Sequence, residues 1–437
     1  MDDAIPVVQS REHRLDKSIN NVSKQRYISQ AWMNREWETV WTKHWQAAAH
    51  ISDLRESGDY VVYDIGRESI LLTCAEDGEI RAFYNVCQHR GLRLVDSHCG
   101  HTDTVRCPYH SWRYNMDGAL NFAPGEELFQ QGLPADKTSL KPVRCEVALG
   151  FVWIVLDSDS ESLTDYLEHM LPIMSHYQFE TMTLTLDQTV SVNCNWKAVQ
   201  DNFSELYHVP YLHPQHRRFV DCASASNDLY PSGHSRVRVP GGTTDTGFAI
   251  PESPTDILSM QLTSLGLSAS DYTGRVEDVQ AAIRDAKRAL GESSLPYYKQ
   301  FTDEELSDVI QTNVFPNTIF SYSTDMCWLL RMRPHPTDPN QCYLDKLSLE
   351  KLDSTVESQH PAPDTEKQDR PIHDSFDYSD VIAGRKTMTD TIDQDLSLLQ
   401  HAQQGMQSDG FKELWLSEAE CRISHFHEQL DRCMDKD

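Results

Sequence analysis

"NVCQHRGLRLVDSHCGHTDTVRCPYHSW", residues 85–112, decides how the first third of the chain is read. It contains Cys87-x-His89, then seventeen residues, then Cys107-x-x-His110. Each half puts one thiol and one imidazole at a tight turn, and Gly91 and Pro108 suit such turns. Two matched halves brought together offer four metal ligands. His98, Cys99 and His101 lie in the same stretch but outside the matched pattern, and they read as loop residues.

Two metals suit a Cys2His2 set. Zinc takes all four ligands tetrahedrally, commonly from a Cys pair and a His pair each closely spaced. A two-iron, two-sulfide centre of mixed ligation gives both Cys to one iron and both His to the other. Here each half carries one of each, which fits two facing irons better. The segments around the motif agree with a small antiparallel domain running to about Asp157. "DYVVYDI" (59–65), "SILLTCA" (69–75) and "IRAFYNV" (80–86) are short and β-branched, and "EDGEI" (76–80) is an Asp-Gly hairpin turn.

The whole chain has 437 residues, 39% hydrophobic and 24% charged, an ordinary globular composition with enough core for two or three domains. Its formal net charge of −28 argues against binding nucleic acid or an anionic membrane and favours a basic protein partner. The longest apolar run, "ALGFVWIVL" (148–156), is too short to span a bilayer. Residues 1–30 carry no apolar signal-peptide core, and the eleven cysteines are scattered, so free thiols in a reducing cytoplasm are expected. Periodicity predicts helix over 18–46, 161–178 and 276–291, strand over 181–194 and 316–334, and a helical tail from 379. On the 316–334 strand Phe320, Tyr322 and Thr324 share one face. Residues 240–255 and 353–374 read as loops.

A second constellation lies in "CNWKAVQDNFSELYHVPYLHPQH", residues 194–216. Asn195 suits the N-cap of a helix beginning at Trp196, along which Asn202, Glu205 and His208 would share a face. His213 is five residues beyond His208, so both imidazoles reach one metal only if the helix ends between them, and Pro210 supplies a break. Two neutral His need a carboxylate to complete the facial triad of a mononuclear non-heme iron. Glu205 has the spacing for that ligand and equally for a carboxylate that orients His208 from behind. His216 reads as structural.

Both patterns resemble those of the Rieske non-heme iron oxygenases, specifically the large (α) subunit of the aromatic-ring-hydroxylating dioxygenase family. The carriers are C-x-H-x17-C-x2-H with "CPYHSW" and the motif "NWKxxxDNFxExYHxxxxH". The resemblance implies that Cys87 and Cys107 bind one iron of a [2Fe–2S] cluster and His89 and His110 the other. It implies that His208 and His213 bind a mononuclear Fe(II), with Asn202 in support behind them. Glu205 then is not a ligand but an electron bridge from His208 to His110 of a neighbouring copy. Two positions depart from the common pattern. Ser111 stands where many relatives have Gly, placing a hydroxyl beside the cluster. Glu205 stands where most aromatic dioxygenases have Asp and some quaternary-amine oxygenases have Glu.

The family takes its third ligand from an Asp far downstream. In "TMTDTIDQDLSLLQHAQQGM" (387–406), Met388, Ile392, Leu396 and Leu399 form a buried stripe at helical spacing. Asp395 adjoins that stripe, and Gln394-Asp395 with Gln403 and Gly405 resembles the family's (E/Q)D…Q-x-G pattern. Asp395 is therefore the expected ligand, Asp393 the reserve, and Asp390 a solvated residue.

The implied fold is α+β: a small all-β Rieske domain (41–157), and a larger catalytic domain (158–437) with an antiparallel sheet flanked by helices, of the helix-grip or START-like kind. An N-terminal helical segment (1–40) packs on the latter. The implied activity is that of a terminal oxygenase. No G-x-G-x-x-G follows a strand, so NAD(P)H electrons must come from a separate reductase, with or without a ferredoxin. Dioxygen is used to hydroxylate a small organic, aromatic substrate. The alternative, which Glu205 keeps open, is mono-oxygenation or N-demethylation of a quaternary amine or other aliphatic. A non-enzymatic electron-transfer or zinc protein is a third reading, opposed by the 195–213 motif and Asp395. A homotrimeric ring follows from an electron path between copies, and it is compatible with an additional β subunit.

Overall fold

A computed structural model of the chain describes residues 21–351 and 370–435. The expected loop at 353–374 lies outside the described residues as far as 369, as do residues 18–20 of the first expected helix. The chain separates into two compact units.

One unit comprises Asn34–Leu184 with Arg333–Asp338. Its main sheet has seven strands in the order Gln46–His50, Phe151–Val155, Pro142–Ala148, Ile80–Tyr84, Glu68–Cys74, Asp59–Ile65 and Cys99–His101. The Asp-Gly turn closes the hairpin between Glu68–Cys74 and Ile80–Tyr84, with Gly78 at φ 80°. A second sheet joins Thr104–Arg106, Arg113–Asn115 and Leu120–Phe122. Val62, Leu71, Phe83, Leu94, Trp112 and Tyr114 pack together in the core of this unit, against Cys87 and Cys107. The unit holds the expected Rieske span and runs on to Leu184. The Trp45 indole donates to the Glu161 carbonyl (3.0 Å), and His50 Nε2 bonds the Phe179 carbonyl (3.2 Å). The single helix expected over 161–178 is divided into Leu163–Tyr166, Leu171–Met174 and a 3-10 turn Ser175–Tyr177. Pro172 lacks the N–H a continuing helix would use and instead sits in the first turn of the second piece.

The other unit comprises Thr185–Met332, Pro339–Asp437 and the N-terminal stretch up to Met33. Its eight-stranded sheet runs Ser226–Leu229, Ser235–Val239, Val309–Val314, Thr318–Tyr322, Met326–Pro334, Cys342–Glu350, Thr183–Val192 and Asp374–Asp377. The first five strands form antiparallel neighbours, whereas Asp374–Asp377 joins Thr183–Val192 in parallel. The single strand expected over 316–334 is a hairpin. Ser323 N–H bonds the Met326 carbonyl, so Thr324 and Asp325 lie in the turn and not on the face with Phe320 and Tyr322. Lys287, on helix Val279–Glu292, holds that turn through Thr324 Oγ1 (2.6 Å) and Asp325 Oδ2 (2.5 Å). The segment over 255–292 builds a small core of its own from Leu258, Leu262, Val276, Val279 and Ile283. The helical tail appears as Tyr378–Ile382, Asp390–Gln407 and Cys421–Met434.

Candidate metal centres

The two halves of the cysteine–histidine motif occupy equivalent turns, one after each sheet's strand. Cys87 N–H bonds the Leu92 carbonyl and Gly91 N–H bonds the Cys87 carbonyl; Cys107 N–H bonds the Trp112 carbonyl and Ser111 N–H bonds the Cys107 carbonyl. Both fourth positions after the cysteine are left-handed, Gly91 at φ 74° and Ser111 at φ 61°. Glycine adopts that conformation freely; serine does not. The Ser111 hydroxyl, expected beside the cluster, takes a hydrogen bond from Arg106 Nη2 (2.9 Å).

Both thiols are buried, and burial pushes the Cys87 thiol up, with the Tyr114 hydroxyl 3.3 Å from its sulfur pulling the other way. The His89 and His110 rings meet edge to face with centroids 4.7 Å apart, and His89 stacks on Trp112 at 4.8 Å. His110 Nδ1 is buried with no hydrogen-bond partner among the described residues. Two buried thiols, two adjacent imidazoles and one orphaned ring nitrogen fit a cluster with Cys on one iron and His on the other.

The second constellation lies in the other unit. Helix Trp196–Asn202 begins as expected, with Asn195 Oδ1 accepting from Lys197 N–H. It ends at Asn202, earlier than the sequence pattern suggested, so Glu205 and His208 are not on it. Just past its end the Ser204 hydroxyl donates to the Gln200 carbonyl (2.5 Å) and accepts from Asn313 Nδ2 (2.7 Å), tying the last turn to strand Val309–Val314. Pro210 does not break this helix. It stands in the first turn of a new one, Val209–Leu212, which His208 and His213 flank.

His208, His213 and Asp395 converge, their ligand atoms all within 4.8 Å of one another. His208 Nδ1 donates to the Glu205 carboxylate, whose second oxygen accepts the His208 N–H at 3.1 Å. His213 Nδ1 donates to Gln394 Oε1 (2.6 Å). With both protons fixed on Nδ1, both Nε2 lone pairs point at Asp395 Oδ1, 3.4 Å from His208 and 2.8 Å from His213. Three acceptors aimed at one point repel unless a cation lies among them, which is the chemistry of a two-His, one-carboxylate iron site. The electrostatics show the same demand for positive charge: burial opposes a charged His208, yet Asp395 and Glu205 push its pKa up to about 10, so a proton on Nε2 answers the carboxylate where a metal would. Burial likewise works to raise Asp395, and the two imidazoles overcome it and hold the carboxyl low.

Gln394, read in the sequence only as half of a pattern, orients His213 and also accepts from Gln215 Nε2 (2.9 Å). Gln403 accepts the Asn195 N–H (3.0 Å), tying the Asp395 helix to the start of helix Trp196–Asn202. Asp393 accepts from Thr387 Oγ1 (2.6 Å) and Met388 N–H (2.8 Å), so it braces the beginning of its own helix. His216 bonds Thr391 Oγ1 (2.8 Å), and burial pushes its pKa down to about 4. Asn202 Nδ2 is buried without a hydrogen-bond partner among the described residues, and Asn202 makes no hydrogen bond to the three converging side chains.

Residues 179–436 match the family described as ring hydroxylating alpha subunit (catalytic domain), and residues 44–131 match the Rieske [2Fe-2S] domain. The chain belongs to the ring-hydroxylating α-subunit family. Its cofactors are accordingly a Rieske [2Fe–2S] cluster and a mononuclear iron. It is 36% identical over 190 residues to the carnitine monooxygenase oxygenase subunit of Escherichia coli (strain K12), covering 43% of this chain and 50% of that one. It is 34% identical over 186 residues to the large oxygenase component of the naphthalene 1,2-dioxygenase system of Pseudomonas aeruginosa, 41% of each chain. The match thus spans about half the length, or less, of these curated relatives. The solved structure of a quaternary ammonium Rieske monooxygenase shares the fold, with TM-score 0.70 over 98% of this α subunit and 99% of that chain at 18% identity. No helix among the described residues is long and apolar enough to cross a membrane.

Proposed function

We propose that this α subunit is the terminal component of an oxygenase system and that its substrate is a small quaternary ammonium compound. The convergence of His208, His213 and Asp395, with Glu205 behind His208, carries the oxygenase reading. In it Cys87, Cys107, His89 and His110 hold the cluster, and His208, His213 and Asp395 hold the iron. The iron, when bound, supplies reductive activation of dioxygen at positions the three ligands leave free. The protein's own part is to fix geometry. Glu205 and Gln394 clamp the Nδ1 protons of His208 and His213, so each ring presents only Nε2 to the metal. Asp395, 1% exposed, is kept from water by the apolar stripe of its helix. Electrons derived from NAD(P)H arrive through a separate reductase, with or without a ferredoxin. In a homotrimer His110 of one copy would hold the donor cluster against Glu205 of the next, and Glu205 would link it to His208. Exposed Tyr109 beside His110, and exposed Tyr207 and Tyr211 beside His208, suit contacts between copies.

Glu205 and the likeness to carnitine monooxygenase support the quaternary amine. The naphthalene dioxygenase likeness supports a second reading, dihydroxylation of an arene, and Asn202 remains a candidate support residue in either. Metal analysis of the purified protein should give about three irons and two sulfides per chain. Oxygen uptake by the reductase-coupled enzyme, compared with L-carnitine, glycine betaine and naphthalene side by side, should be stimulated by a quaternary amine. Stimulation by naphthalene alone would reverse the substrate assignment, and zinc without sulfide would end the oxygenase reading. Glu205→Gln should keep the iron and stop its reduction by the cluster, whereas His213→Ala should lose the iron. Iron loss in Glu205→Gln would mean the carboxylate roles are exchanged.

A further inference from the structure

Arg422, on helix Cys421–Met434, is only 3% exposed, and no carboxylate among the described residues forms an ion pair with it. Buried cations are ordinarily paired with an acid, because desolvation is otherwise uncompensated. Here the guanidinium donates to three neutral oxygens instead: Ser235 Oγ (3.2 Å), Gln311 Oε1 (2.9 Å) and Asn313 Oδ1. That orientation of Asn313 leaves its Nδ2 to donate to Ser204 Oγ at 2.7 Å. Ser204 is the residue before Glu205, and its hydroxyl also holds the Gln200 carbonyl at the last turn of helix Trp196–Asn202. A continuous chain of hydrogen bonds therefore runs from a buried positive charge to the turn that carries Glu205. Burial lowers the guanidinium pKa to about 10, with Cys421 and then Glu205 acting in the opposite direction.

We infer that Arg422 is a positioning residue for Glu205, fixing the Ser204–Glu205 turn through Asn313 while its charge draws the carboxylate into one orientation against His208. The inference rests on the reading of Glu205 as the electron bridge. It assigns a task to a residue over two hundred positions away that touches neither metal site, and it explains why a cation is buried there without an acid of its own.

The holoenzyme tests it. The cluster of wild type, Glu205→Gln, Arg422→Gln, Arg422→Lys and Asn313→Asp is reduced with dithionite, then mixed with aerated buffer containing L-carnitine, and cluster reoxidation is followed by its visible absorbance. Iron per chain and the electron paramagnetic resonance signal of the nitric oxide adduct of the mononuclear iron are measured on the same samples. Asn313→Asp keeps the side-chain volume but gives Arg422 an acid of its own, diverting its charge. Arg422→Gln and Asn313→Asp should each slow reoxidation by about tenfold with iron unchanged, while Arg422→Lys stays within about threefold of wild type. Both slow variants should shift the nitric oxide signal, since His208 loses a fixed partner. The inference is overturned if Asn313→Asp reoxidises at the wild-type rate, whether Arg422→Gln is normal or fails to fold, while Glu205→Gln is slow. Equal slowing of Arg422→Lys and Arg422→Gln overturns the role of the charge. If Glu205→Gln is itself as fast as wild type, the bridge reading fails instead.

Discussion

At the scale of single residues, what could be read in advance depended on how far apart the partners lie in the chain. Cys87, His89, Cys107 and His110 stand within one stretch, so spacing alone proposed them as a set. The task of Gln394 was not legible, because it exists only through contact with His213, 181 positions away. Its removal gives a direct prediction: Gln394→Ala frees the His213 Nδ1 proton, and iron affinity should fall by about 10- to 100-fold, read as iron retained against a chelator. Ser111 predicts an effect of the opposite sign. A left-handed serine is strained by about 1–2 kcal/mol relative to glycine, more than its exposed bond from Arg106 returns. Ser111→Gly should therefore raise the temperature at which the cluster is lost.

Among elements, the hydrophobic periods marked where helix or strand lies but not where it ends or divides: the helices expected over 18–46 and 161–178 are in pieces, with Gln46 already in a strand, and the strand expected over 316–334 is a hairpin. Helix Trp196–Asn202 stops just before the tertiary bond from Asn313 to Ser204, and the strand over 316–334 turns where Lys287 grips Thr324 and Asp325. Neither partner is local, so no window of sequence carries the signal. Pro172 and Pro210 were visible, yet each begins a helix rather than ending one, and a proline reads the same way for both outcomes. Strand Gln46–His50 yields a prediction of pH dependence. Burial drives the His50 imidazole pKa down from 6.5 to about 4, against a hydrogen bond to the Phe179 carbonyl. The unfolded chain then binds the proton more readily than the folded one, so stability is complete above about pH 6.5 and falls as pH drops toward 4. The loss is on the order of 3 kcal/mol. Urea unfolding of His50→Gln, compared with wild type at neutral and acid pH, should show a flatter profile over that window.

For the molecule as a whole, composition correctly suggested more than one unit, and the family match extends over both. The charge of −28 makes a prediction at this scale: docking of a basic reductase should weaken as salt is added, and electron delivery from it should slow. Direct chemical reduction of the cluster should not slow, and a turnover rate indifferent to ionic strength would remove the electrostatic account. The wide separation of Asp395 from His208 and His213 carries one more consequence. A growing chain leaves the ribosome from its N-terminus, and domains fold as units while it does so. The turns around Cys87 and Cys107 lie within Asn34–Leu184 and are complete before half the chain exists. The iron triad must wait until helix Asp390–Gln407 has emerged. The order in which the two proposed sites become complete during synthesis is thereby set, the cluster turns first and the iron triad last.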